Sequence, residues 1–231
     1  MYSYLPKGVK IINDLKKRVS SSLEGVGALE VFLPLIQNEA MWQQSSRLDS
    51  YGSEIFIDDT GKYILAPTSE EAATITAKSM VKSYRDLPLM IYQSDRKFRN
   101  EIRPRFGTIR TKEFFMTEAY SFASNEEGMK SQYDTAKKSI LLLLQDLGLS
   151  TSIRTVEANE ITTLLSEEIV VDTVFGEIEV AHVFQLGDRY SKAFNLRVHT
   201  KDNTHEYVQM GCYGIGLSRL LTVLLSQENE K

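Results

Sequence analysis

Val9, Ile12, Leu15, Val19 and Leu23 recur at the spacing of one helix face after Pro6-Lys7-Gly8. They predict a helix to about Leu23, ended by Gly25 and Gly27. The next stretch, ALEVFLPLIQ from Ala28 to Gln37, is short, apolar and β-prone, and Pro34 removes a ladder donor from it. That strand should lie at a sheet edge or break there. SEIFIDD and KYILAP flank Thr60-Gly61 and predict a hairpin. Thr68-Ser69-Glu70-Glu71 offers capping oxygens and early carboxylates for a helix to about Tyr84, and Leu89 to Tyr92 reads as a short strand. Met129, Tyr133, Ile140, Leu141, Leu144 and Leu147 mark a long amphipathic helix that stops near Gly148. Strands are expected around Ser152 to Glu157, Glu168 to Thr173, Ile178 to Gln185, Phe194 to His199 and Tyr207 to Met210. A glycine-spaced turn, GCYGIG, then leads into a last helix through Leu225. Runs of strands separated by a few helices, with no repeat or linker, predict one α+β domain over residues 1–231, a mostly antiparallel sheet flanked by helices.

Composition adds limits to this picture. At 231 residues, 42% hydrophobic and 25% charged, the chain can bury a full core. A net charge of -4 excludes a basic global field, so attraction to a nucleotide or nucleic acid must be local. A single cysteine, Cys212, excludes an internal disulfide and fits a reducing compartment, while His182, His199 and His205 lack the paired spacing of a zinc site. No metal-binding cluster of protein side chains is expected. No apolar run approaches the roughly 20 residues of a membrane span, and Met1 leads into YSYLPKG without a signal-like leader. The expected home is the cytoplasm, with the mitochondrial matrix or another organelle as the alternative.

The local exception to the negative charge is KFRNEIRPRFGTIRTKEFFMTEAYSF, Lys97 to Phe122, with six cationic side chains against three carboxylates. Strand alternation from Phe98 to Arg103 puts Arg99, Glu101 and Arg103 on one face, and on the return Phe114, Met116, Glu118, Tyr120 and Phe122 share a face. Arg105 and Arg110 lie on the connection, where Gly107 permits a tight bend. Such a surface offers arginine for an anion, carboxylates for amines or a metal, and a ring for stacking. The plain alternative is a solvated face with cross-strand ion pairs.

FRNE, then Arg110-xxx-Phe114, then Glu118, resembles motif 2 (about 97–122) of the class II aminoacyl-tRNA synthetases. GCYGIGLSRLLTVLL (211–225) resembles their motif 3, and GALEVFLPLIQ with the helix before it (about 8–37) their motif 1. Within the class, YSYLPKGVKI, MWQQSSRLDSYG, LAPTSEEAAT, DLPLMIYQ, RPRFGTIRTKEF, EVAHVFQLGDRYS and MGCYGIGLSRLL resemble the prolyl-tRNA synthetases of bacteria and organelles.

The resemblance implies the class II catalytic-domain fold, ATP with Mg2+, proline and the acceptor end of tRNA(Pro) as ligands, and a homodimer through motif 1. It implies that Arg99 bridges the substrate carboxylate and the α-phosphate, with Arg219 as the second catalytic arginine, on the adenine ring and at the γ-phosphate. Glu101 would take the adenine amino group, Phe114 would stack on the ring, and Arg110 would meet the β- or γ-phosphate. Glu118 would touch the nucleotide or magnesium, or else form a strand-end ion pair, and Gln185 falls in the same nucleotide set. Thr68 and Glu70 match the TxE loop for the proline imino group, with His182 and Cys212 as further pocket residues; a structural histidine is the alternative for His182. These groups suit a reaction in which a carboxylate attacks a phosphate, because alignment and charge neutralisation suffice and no protein nucleophile is required.

The departures are also specific. Where relatives read Ile-Gly-Gly-x-x-Ser-His-Glu-Phe, this chain has Ile161-Thr162-Thr163-Leu164-Leu165-Ser166-Glu167-Glu168-Ile169. Threonine cannot copy glycine backbone shapes, and an acid for a histidine changes local charge. The usual segment before YSYLP, an editing insertion and the anticodon-binding domain are also missing from the sequence, so anticodon recognition is expected from a separate domain or partner. Two functions follow as expectations: a proline–tRNA ligase catalytic domain, or a synthetase-like paralogue that binds a nucleotide, small molecule or protein without aminoacylation.

Overall fold

The computed structural model describes residues 2–157, 164–200 and 204–228. Helix α1, Pro6–Glu24, begins on a proline, whose missing N–H is no loss in a first turn, and buries Ile12, Leu15, Val19 and Leu23. Gly27 then turns the chain at φ +88°. The apolar stretch breaks around Pro34, so that β1, Leu29–Glu30, and β2, Ile36–Asn38, join different sheets. Short helices α2, Glu39–Gln44, and α3, Leu48–Tyr51, precede the expected hairpin of β3, Phe56–Ile57, and β4, Tyr63–Leu65.

Helix α4, Glu70–Met80, is shorter than the expected run to Tyr84. Its end is set by Ser83 and Asp86, whose side chains form a capping box that starts a separate 3-10 turn at Tyr84. Strand β5, Leu89–Phe98, pairs antiparallel with β6, Glu113–Ala123. Alternation does not continue to Arg103: after Phe98 the Glu101 amide turns back onto the Arg99 carbonyl at 2.7 Å. Helix α5, Glu126–Asp146, is capped by the Asn125 side chain and buries Met129, Tyr133, Ile140 and Leu144. Strands β7, Thr151–Thr155, β8, Leu165–Thr173, and β9, Gly176–Gly187, follow as antiparallel neighbours.

The strand expected from Phe194 is corrected. Phe194 closes helix α6, Arg189–Phe194, and strand β10, Arg197–His199, starts only after the left-handed Asn195. Strand β11, His205–Tyr207, pairs with β10. GCYGIG is not a turn but most of β12, Gln209–Ile215, a central strand; helix α7, Leu217–Glu228, follows. Its first glycine admits neighbours rather than bending the chain: a Cβ on Gly211 would run into the Tyr213 hydroxyl and Ser121 Oγ.

The main sheet has seven strands in the order β1-β5-β6-β12-β9-β8-β7, antiparallel except for the β1–β5 edge, and β2-β4-β3 form a small sheet beside it. This is the expected α+β architecture. On one face α1, α5 and α7 pack Leu15, Val19, Ile140, Leu144, Leu217 and Leu220 against Tyr92, Ile169, Val183 and Tyr213. On the other, α4 and α6 bring Ala73, Ala77 and Tyr190 against Ile91, Phe122 and Met210. The rest of this second face, carrying Phe114, Met116, Glu118, His182, Phe184, Cys212 and Gly214, lines a cavity.

Candidate active site

That cavity, of about 280 Å³, is where the charged stretch, the TxE loop and the last helix meet. Thr68, Glu70, Arg99, Glu101, Arg110, Phe114, Glu118, His182, Cys212 and Arg219 all line it. Gln185 does not, and the strand period is the reason: it stands three residues from His182 on β9, so it falls on the opposite face.

At one end the loop before α4 is held from below. The Ser69 amide donates to the Tyr120 hydroxyl at 3.0 Å, Gln37 Nε2 donates to the Thr68 carbonyl at 3.4 Å, and the Thr68 hydroxyl donates to Glu70 Oε2 at 2.6 Å. Capping is not what these side chains do. Ser69 makes no cap bond and instead accepts from Lys97 Nζ at 2.5 Å. Cys212 Sγ lies 3.6 Å from Glu70 Oε1, and burial pushes its thiol well above the usual range, which makes it a small wall residue rather than a nucleophile.

In the middle, Arg99 sits over the Phe114 ring at 5.3 Å, and its Nε donates to the Pro67 carbonyl at 3.3 Å. Glu101 and Arg110 face each other, Arg110 Nε to Glu101 Oε2 at 2.6 Å, and this bond holds the Glu101 carboxyl below its ordinary range. The loop between them bends through left-handed Phe106 and Gly107 at φ +55° and +61°. Glu118 is paired, as one expectation had it, but deep in the strand rather than at its end. It is 1% exposed, meets Lys97, and takes a bond from Gln93 Nε2 at 2.8 Å through Oε1. Its Oε2 has no hydrogen-bond partner among the described residues.

At the other end Arg219 is fixed through Nη1 to the Glu179 carbonyl and Oε2, both at 2.9 Å, and through Nε to the Ile109 carbonyl at 3.2 Å. Glu179 also holds His182 Nδ1 at 3.0 Å; burial opposes its ionisation, but His182 and Arg219 outweigh it and bring the carboxyl down to about 2. His182 Nε2 meets Ser166 Oγ at 2.7 Å, and the ring stacks on Phe184 at 3.9 Å. Both ring nitrogens are occupied, the structural alternative for this residue.

Arg47, Tyr51 and Glu179 are among the cavity residues that were not singled out from sequence. Arg47 carried a signal, a lone arginine between Trp42 and Tyr51, and Glu179 lay at the head of EVAHVFQLGDRYS. Set against the expectation of no metal cluster, Glu168, Glu179 and His182 bring ligand atoms within 4.8 Å of one another. They come from β8 and β9, and sequence spacing cannot reveal a cross-strand trio. Two carboxylates are hard donors that fit a divalent cation, although both already hold arginines.

The altered 161–169 segment is divided by the same alternation. Ile161-Thr162-Thr163 lie outside the described residues. Glu167 turns to the helix layer, where it accepts from Lys137 Nζ at 2.8 Å and from the Tyr133 hydroxyl. Its neighbours Ser166 and Glu168 take the opposite face of the sheet, beside His182, though neither lines the cavity.

Residues 51–228 match the family model described as the tRNA synthetase class II core domain (G, H, P, S and T). The chain belongs to this family. Among class II synthetases it is 33% identical to the proline–tRNA ligase of Anaplasma marginale (strain St. Maries) and 32% identical to that of Ehrlichia chaffeensis (strain ATCC CRL-10679 / Arkansas), over 97% of the chain in each case. It spans 66% of the length of these curated relatives. Its fold matches that of Giardia lamblia prolyl-tRNA synthetase in complex with prolyl-adenylate at a TM-score of 0.89 and 26% identity, covering 96% of this chain and 46% of that one.

Proposed function

We propose that the chain is the catalytic domain of a proline–tRNA ligase: it activates proline with ATP to prolyl-adenylate and passes the prolyl group to tRNA(Pro). The observation that carries this is the joint lining of one cavity by Thr68, Glu70, Arg99, Glu101, Phe114 and Arg219. Thr68 and Glu70 suit a secondary ammonium at one end, and the aromatic face of Phe114 with the arginines suits a nucleotide at the other.

In the first step a carboxylate oxygen of proline bonds to the α-phosphorus of ATP, and the bond to the β-bridging oxygen breaks, releasing pyrophosphate. Arg99, between the two ends, neutralises the carboxylate and the α-phosphate as they approach. Arg110 exchanges Glu101 for the β- or γ-phosphate, which frees Glu101 to accept from the adenine amino group; Arg219 flanks the ring and the phosphate tail. Magnesium would be held with ATP by the carboxylate oxygens of Glu179 and Glu168, not by His182, whose two ring nitrogens are occupied, and would supply charge neutralisation for the leaving pyrophosphate. Glu118, already matched by Lys97, has less need of a cation.

The direct test is exchange of labelled pyrophosphate into ATP. Exchange that requires proline, and no other amino acid, is expected; ATP binding without exchange would leave a non-aminoacylating paralogue. Glu167 faces away from the cavity, so Glu167→His should change the KM for proline by less than about twofold. Its cost is the partly exposed Lys137 pair, about 1 kcal/mol or less in urea unfolding. A tenfold KM change would put this residue in the proline pocket.

Assembly belongs to the same proposal. Phe32 is 89% exposed and Ile36 64%, both in the motif 1 stretch. Large apolar side chains this exposed suit an interface, here a homodimer through motif 1. At micromolar concentration the chain should sediment as a dimer and Phe32→Asp as a monomer; a monomeric parent overturns the assignment. Arg103 and Arg105 are available to the tRNA acceptor end, with anticodon recognition supplied by a further domain or partner.

A further inference from the structure

Between the small sheet and α4 lies a buried ionic cluster whose arginine the reaction scheme above does not use. Arg47, just before α3, is 1% exposed. Its Nη1 donates to Glu70 Oε2 at 2.8 Å and to both carboxylate oxygens of Glu71 at 3.2 Å. Its guanidinium lies 5.0 Å from the rings of Trp42 and Tyr51 and 5.6 Å from that of Tyr190. Trp42 is in turn fixed by Nε1 to Gln37 Oε1 at 2.7 Å, and Glu71 takes a bond from Ser45 Oγ at 2.7 Å.

Stability alone is a poor reason for this arrangement. Arg47 Nε and the Tyr190 hydroxyl are buried without a hydrogen-bond partner among the described residues, and buried ion clusters are commonly no more stable than apolar packing of the same volume. Charge is unbalanced as well: one guanidinium serves two carboxylates, so the cluster is negative when both are ionised. Glu70 lines the cavity, and its Oε2 is occupied by both Arg47 and Thr68. Oε1 is left with the weak thiol donor of Cys212 at 3.6 Å.

We propose that Arg47 is a positioning residue for the amino-acid end of the cavity. It grips Glu70 by Oε2 so that Oε1 is presented to a cationic imino group, and the shared guanidinium leaves a negative charge for that cation to balance. Burial works against the ionised carboxylates; Arg47 overcomes this for Glu70, whose carboxyl is held below its ordinary value, whereas burial raises that of Glu71. The inference rests on the reading of Glu70 as the contact to proline. It adds a residue that touches neither substrate.

The experiment is proline-dependent pyrophosphate exchange by the full chain, with the KM values for proline and ATP and kcat measured separately, and folding followed by thermal unfolding. Arg47→Met should raise the KM for proline about 100-fold, the scale of a lost charged hydrogen bond, with the KM for ATP within about threefold of the parent. Arg47→Lys, which keeps the charge without the planar fork, should recover about tenfold of that loss. If Arg47→Met fails to fold, Glu71→Gln decides: with Arg47 then balancing Glu70 alone, the KM for proline should rise several-fold (about 3- to 10-fold) while that for ATP stays. A KM for proline that does not move, or KM values for proline and ATP that rise together, would overturn the positioning role. A parent chain without proline-dependent exchange would instead overturn the proposed function, and this inference with it.

Discussion

Replacing Arg99 by alanine should lower kcat/KM for proline-dependent pyrophosphate exchange by about 10³-fold, roughly 4 kcal/mol of transition-state stabilisation. The effect should be large because Arg99 lines the cavity between Pro67, next to the TxE loop, and the Phe114 ring. Its backbone is pinned by the 2.9 Å bond from its amide to the Lys112 carbonyl, and its side chain by the Pro67 carbonyl and the Phe114 ring. An arginine already held in place loses little entropy when it binds a carboxylate and a phosphate together. Arg99→Lys should recover less than a tenth of the loss, since a point charge cannot hold both anions in parallel. Stopped-flow or exchange kinetics of the two variants provide the check; a fall of less than tenfold in Arg99→Ala would remove Arg99 from the reaction centre.

Lys97→Met should cost about 3–5 kcal/mol of stability, the largest loss expected from one substitution here. For a chain of this length that corresponds to a fall of roughly 10 °C in the unfolding midpoint. Lys97 is 0% exposed, it touches Glu118, and its Nζ also donates to Ser69 Oγ. Removing the ammonium strands a carboxylate that is only 1% exposed at the floor of the cavity. Lys97→Met combined with Glu118→Leu removes both charges and should regain about half or more of the loss. Calorimetry on the single and double variants distinguishes a stranded charge from a mere packing defect, which the second substitution would deepen.

The difference between what was legible in the sequence and what was not follows residue by residue from the range of the interactions. Helices α1 and α5 and the β3–β4 hairpin were legible because their signals, helical spacing and a Thr-Gly turn, are local. Most cavity residues were legible through the order of motif 2, motif 3 and the TxE loop. Helix α6 was not, because a short segment with Phe194 at its end has no period to read. GCYGIG looked like a turn because glycine frees the backbone, whereas its first glycine is required for close packing inside a strand. Gln185 was misplaced although the rule of two would have separated it from His182. Arg47 and the Glu168–Glu179–His182 trio act across elements, and only the packed chain brings their partners together.

The turn of Glu167 toward Lys137 has a consequence for how divergence from relatives is counted. Alternate residues of β8, Glu167, Ile169 and Val171, answer to the helix layer, so identity to a relative counted along this strand mixes positions that meet α5 with positions on the other side of the sheet. A difference at Glu167 is therefore first a difference in how the sheet meets its helix, and only the residues that line the cavity speak to the ligand.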